Sequence, residues 1–211
     1  AARSDGVPRL VFETLRAFGE HGILKREADG AYVQARRVTS VAVPSSLRGL
    51  VDLRLKGLAD EDREILDVAA VVGVEFTAAT VATVLDAKPV QVLRRLAVLE
   101  RRTGMVRAAG PSVRFDQRLV QETLYAGLPT MLREEYHALV AEALEAERGP
   151  ALAGRDAYLV AVHHGKGARP QAALRWLEPA MTFLEGASLT DEYFDTVEAA
   201  LARPGLLAGA A

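Results

Sequence analysis

The chain has 211 residues, 50% of them hydrophobic and 26% charged, with a net charge of −2, which excludes a disordered polymer and leaves room for one large or two small cored domains. The absence of cysteine excludes a disulfide framework and a thiolate metal site. No apolar run reaches the ~18 residues of a membrane span, and "AARSDGVPRL" lacks the layout of a secretory leader, so a cytoplasmic chain is expected. The sequence enters a helical pattern almost at once after Ala1, as expected of an excerpt from a longer protein.

Val7 to Glu20 reads as a helix, with Pro8 suited to its first turn and Leu10, Val11, Leu15 and Phe18 at helical spacing; Gly22 ends it. "ILKREADGAYVQ" predicts a small β-ribbon closed by a two-residue turn at Asp29-Gly30. Pro44 holds Val43 out of helical geometry, so a helix should start under a serine cap at Ser45 or Ser46 and end near Gly57. "LADEDREILDVAAVVG" begins the next helix. Its acidic first turn complements the helix dipole, Leu58, Ile65, Leu66, Ala69 and Val72 make its buried face, and Gly73 stops it. "EFTAATVATVLDA" follows as a short helix capped by Thr77, then "KPVQVLRRLAVLERRTG" as a longer one between Pro89 and Gly104.

The period then changes, and "MVRAAGPSVRF" reads as two strands about Gly110-Pro111. Three short helices followed by a β-hairpin is the plan of a winged helix. Beyond it, helices are predicted over 117–126, 130–147, about 155–165, 171–184 and 190–202, with Pro179 expected to kink or split the fourth. The last three are short and alanine-rich, the texture of an α-solenoid. The expected fold is mainly α: a lid-like helix and β-hairpin over 1–42, a winged-helix domain over 43–128, and a helical arm like tetratricopeptide (TPR) repeats over 129–211.

Charge is spread unevenly along this plan. Leu58 to Ala87 holds Asp60, Glu61, Asp62, Glu64, Asp67, Glu75 and Asp86 against Arg63, a net of −6. Lys88 to Arg118 holds Lys88, Arg94, Arg95, Arg101, Arg102, Arg107, Arg114 and Arg118 against Glu100 and Asp116, a net of +6. Such asymmetry bears on partners.

"GVPRLVFETLRAFGEHGIL", "VPSSLRGLVDLRLKGLADEDREILDVAAVVGVEF", "VLRRLAVLERRTGMV" and "VRFDQRLVQETLYAGLPTMLREEYHALVAEALEA" together resemble, in order and spacing, the region after the nucleotide-binding core in bacterial STAND-type regulatory ATPases. In these multidomain signalling proteins an AAA-like ATPase precedes a winged helix and TPR-like repeats. The resemblance spans about Gly6 to Leu184. It implies signal transduction or transcription regulation, with this segment coupling the nucleotide state of an upstream core to a partner. Gly6-Val7-Pro8 falls where the family carries a Gly-x-Pro motif, so the resemblance implies that Pro8 packs on the adenine of ATP or ADP in an intact parent; read without it, Pro8 simply starts a helix. Where the family has Phe-Arg-His-Ala-Leu after the wing, this chain has Phe115-Asp116-Gln117-Arg118-Leu119, although Tyr125 does match.

No G-x-x-x-x-G-K-[ST] loop is present to cradle phosphates, so this chain by itself is expected neither to bind a cofactor nor to hydrolyse ATP. There is no G-x-S-x-G and no cysteine nucleophile, and Glu134-Glu135 and Asp191-Glu192 are read as solvated helix faces. His163 and His164, ~100° apart on a helix, cannot share a metal ion, and His21 and His137 are read as ordinary surface or half-buried residues. Trp176 and Tyr158 are expected to fill the core of the arm, or alternatively to line a peptide groove.

The alternative to an internal regulatory segment is a winged-helix DNA-binding regulator with a helical effector or dimerisation arm. On the Pro89 to Arg102 helix, Val92, Leu93, Leu96 and Leu99 should face inward, leaving Gln91, Arg94, Arg95, Val98, Arg101 and Arg102 on an outward basic face. Those arginines would either meet a duplex or pair with neighbouring acidic helices, since Leu119 to Arg148 carries a net of −4. Asparagine and aromatic residues, suited to base readout and stacking, are absent from that helix.

Overall fold

The structure, a computed structural model, describes the backbone of residues 24–26 and 32–34, and residues 51–52, 54–149 and 152–187 in full. Pro8 and its helix, the serine cap near Ser45, and the helix predicted over 190–202 lie outside the described residues. The early ribbon is present as β1 (Leu24–Arg26) and β2 (Tyr32–Gln34), antiparallel, with Leu24 opposite Gln34. Arg26 stands opposite Tyr32, and the turn expected at Asp29-Gly30 lies outside the described residues.

Residues 51, 52, 54 and 55 are helical, and the helix unwinds at Gly57, whose N–H reaches the Arg54 carbonyl at 3.3 Å in a tightened last turn. Next come α1 (Asp60–Val72), β3 (Glu75–Phe76), α2 (Ala78–Val84), α3 (Pro89–Thr103), β4 (Val106–Ala109) and β5 (Ser112–Phe115). The element α1 is the hub, with Ile65, Leu66, Val68, Ala69, Ala70 and Val71 all buried. Thr77 caps α2 as its sequence foretold, its hydroxyl accepting from the Thr80 N–H at 3.0 Å. Gly104 ends α3 in the left-handed region at φ 60°, where a side chain is strained.

The hairpin forms as expected, but the sheet has a third strand. Strand order is β3-β5-β4, all antiparallel, with Phe76 opposite Val113 and Val106 opposite Phe115. Glu75 and Phe76 lie just ahead of the Thr77 cap, where no strand was expected. They pair with β5, and Phe76 buries its ring 5.4 Å from that of Phe115, a contact between positions far apart in sequence.

After the sheet the chain is helical: α4 (Arg118–Gly127), α5 (Thr130–Arg148), α6 (Gly154–Lys166), a 3-10 turn (Pro170–Ala173) and α7 (Leu174–Gly186). Helix α6 packs on both α5 and α7, and α5 packs back on α1 and α2. Ala141, Ala157, Ala161 and Ala180 let the arm helices approach closely around Val160 and Trp176. Pro179 does not split α7, which runs unbroken through it. The carbonyl it leaves without a donor belongs to Arg175, an exposed residue open to water. The chain is mainly helical with one small three-stranded sheet, and among the described residues no helix is long and apolar enough to cross a membrane.

Candidate functional site

The arm is fastened to the three-helix unit by a chain of polar side chains built on two buried histidines. Tyr125 of α4 lies 2.9 Å from His137 Nε2, and His137 Nδ1 lies 2.9 Å from His163 Nδ1. The His163 ring also bonds the backbone of Val72, at the C-terminal end of α1, in the sense that favours protonation, so it donates to that residue's carbonyl. The helix end itself leaves that carbonyl without an intrahelical partner.

One order of neutral tautomers satisfies every member. His163, with its Nε2–H spent on Val72, offers a bare Nδ1; His137 donates Nδ1–H to it and accepts the Tyr125 hydroxyl at Nε2. His137 is 3% exposed and His163 5%, so a charge here would be buried. Burial lowers the His163 pKa from 6.5 to about 4, and Lys166 and His164 push the same way. Reading His137 as an isolated surface or half-buried residue is therefore corrected: it is the centre of this chain. Its position on α5 was legible as one helical residue among others, whereas its partner 26 residues away was not.

Adjacent to it, Glu145 gathers two donors, His164 Nε2 at 3.0 Å and the indole N–H of Trp176. Trp176 is buried, as expected of a core residue, and the Arg175 guanidinium covers its ring at 4.7 Å. Tyr158 is partly buried against the same cluster. A groove of about 420 Å³ opens beside them, lined by Glu142, Glu145, Ala146, Gly149, Arg175 and Trp176, with the Arg175 guanidinium over one face of the indole. Across the junction, the Thr80 hydroxyl donates to the Glu147 carboxylate at 3.0 Å.

The predicted basic face lies on α3, and the structure separates its members. Gln91, Arg94, Arg101 and Arg102 are exposed. Arg95 instead turns to α1, with its guanidinium 2.8 Å from Asp62 and 3.9 Å from Glu61. Among the described residues Arg94, Arg101 and Arg102 form no ion pair, and the acidic residues of α5 do not reach them. Leu93, expected inward with Val92, Leu96 and Leu99, is 51% exposed, matching Val90 at 51%, with Val98 at 36%. The three buried residues fill the inner face, and Leu93, about 100° from Val92, falls beyond it.

Among the described residues no cluster of histidine and carboxylate side chains could hold a metal ion. No known protein family, curated protein or solved structure matches the chain.

Proposed function

We propose that the chain is a non-catalytic regulatory and interaction segment of a STAND-type, AAA-like bacterial signalling ATPase, working in the cytoplasm. Its residues 43–128 act as a winged helix and those from 129 onward as a TPR-like arm. The order helix, strand, helix, helix, hairpin and the β3-β5-β4 sheet support the first assignment. The packing of α6 on both α5 and α7 supports the second.

The observation that carries the reading is the Tyr125–His137–His163–Val72 chain. By tying α1, α4, α5 and α6 through two buried histidines it makes unit and arm one lever, so a push on the unit is delivered to whatever the arm holds. Arg54 supplies the other end. It is buried, lies on the helix that precedes α1, and donates to the carbonyl of Thr103 in the last turn of α3. ATP or ADP in an upstream core, with Pro8 against the adenine, would bias that lever through the Val43 to Leu58 helix.

Hydrogen exchange on the intact parent tests this. Adding ATP against ADP should change protection over Val43 to Leu58, and a profile that is the same in both states overturns the reading. Exposure of Arg94, Arg101 and Arg102 favours a second reading, a DNA-binding regulator whose α3 meets a duplex. That reading requires salt-dependent binding that weakens when these arginines are replaced.

A further inference from the structure

We propose that the groove between the end of α5 and the start of α7 is a binding site for a small zwitterion, an α-amino acid, whose ammonium and carboxylate groups are held at opposite walls. The site rests on the groove's own chemistry and takes from the regulatory reading only its purpose, a small-molecule signal received by the arm. Its volume of about 420 Å³ is enough for one amino acid with its side chain.

One wall is the last two turns of α5, where Glu142, Glu145, Ala146 and Gly149 recur at helical spacing on one face. Glu142 accepts from Arg169 at 2.7 Å, and Glu145 accepts from His164 at 3.0 Å and from the Trp176 indole. A carboxylate has about four acceptor sites, so each keeps capacity for an ammonium. The C-terminal end of α5 adds the negative pole of a 19-residue helix.

The other wall is the first turn of α7, the positive pole of that helix, and carries Arg175 and Trp176. Arg175 is exposed, its guanidinium lies over the indole at 4.7 Å, and among the described residues it forms no ion pair. Stacking fixes the plane of the fork and leaves its N–H edge for a carboxylate. A simple cation would meet Arg175 and a simple anion would meet Glu142 and Glu145, whereas a dipolar ligand matches both walls.

Trp176 is the only tryptophan and touches both Glu145 and Arg175, so its emission reports the groove. Titrating the full chain with leucine should change that emission saturably, with half-saturation below about 10 mM. N-acetyl-leucine lacks the ammonium and leucinamide lacks the carboxylate, and each should bind at least about tenfold more weakly. Arg175→Gln should weaken leucine at least about tenfold and Glu142→Gln at least about threefold, read from the NMR signals of the ligand because Arg175→Gln also alters the indole. Both side chains are exposed, so circular dichroism and melting should match the parent chain.

The absence of a saturable change up to about 50 mM leucine overturns the proposal. So does equal binding of leucinamide, which would make the groove a plain cation site, or of N-acetyl-leucine, which would make it a plain anion site. Leucine binding that is indifferent to Arg175→Gln places the ligand elsewhere and also overturns it. Nucleotide-dependent exchange over Val43 to Leu58 in the intact parent does not use this groove, so that response persisting while leucine fails removes the ligand site alone.

Discussion

His163 sits where a proton has no favourable place to go. Its pKa in the folded chain, about 4, lies below the 6.5 of an ordinary histidine, so the unfolded chain takes up the proton first as the solution is acidified. Stability from this group is therefore full above about pH 6.5, declines as pH falls, and levels off near pH 4, for a loss of about 3 kcal/mol. Urea midpoints across that range should follow the decline, and His163→Leu should flatten it. At fixed neutral pH, His137→Leu or His163→Leu alone leaves buried nitrogen or hydroxyl groups without partners, at about 1–3 kcal/mol each. Replacing both together should destabilise by less than the sum, and additive losses would show that the two rings are not coupled.

At the scale of elements, the ends of helices and their closest approaches carry the testable content. Thr77→Ala removes the cap of α2 and leaves buried Thr80 without its 2.8 Å hydroxyl partner, so a loss of about 1 kcal/mol or more is expected in thermal unfolding, with Thr77→Ser close to the parent. Gly167 closes α6 against α5, where an added Cβ would stand 2.9 Å from the Ala138 backbone nitrogen. Gly167→Val should therefore separate the two helices and lower stability by about 1–3 kcal/mol, since packed cores resist added volume. A variant as stable as the parent would mean that α5 and α6 yield freely here.

For the molecule as a whole, the central expectation is that the three-helix unit and the arm unfold together. Val71 of α1, Leu128 and Val140 of α5 share one apolar cluster, and the histidine chain and the Thr80–Glu147 bond cross the same boundary. Trp176 is the only tryptophan and lies in the arm, so its fluorescence reports the arm while far-ultraviolet dichroism reports every helix. The two denaturation curves should coincide. In His137→Leu/His163→Leu they should separate, with Trp176 changing first, and a single shared transition in that variant would assign the coupling to the apolar cluster alone.

What the sequence determined by itself was whatever is written within one element or one turn. Periodicity located α1, α3 and α5; Pro89, Thr77 and Gly104 marked helix ends; the change of period at Met105 announced the hairpin. These signals are local, because capping, dihedral preference and amphipathicity act over a few neighbouring residues. Tertiary structure alone decided the rest. It placed β3 on the sheet through Phe76 and Phe115, turned Leu93 outward and Arg95 to Asp62, and joined His137 to His163 in a pair that no spacing advertises. Each of these depends on which distant surfaces meet, and that is settled by the packing of the whole core around α1.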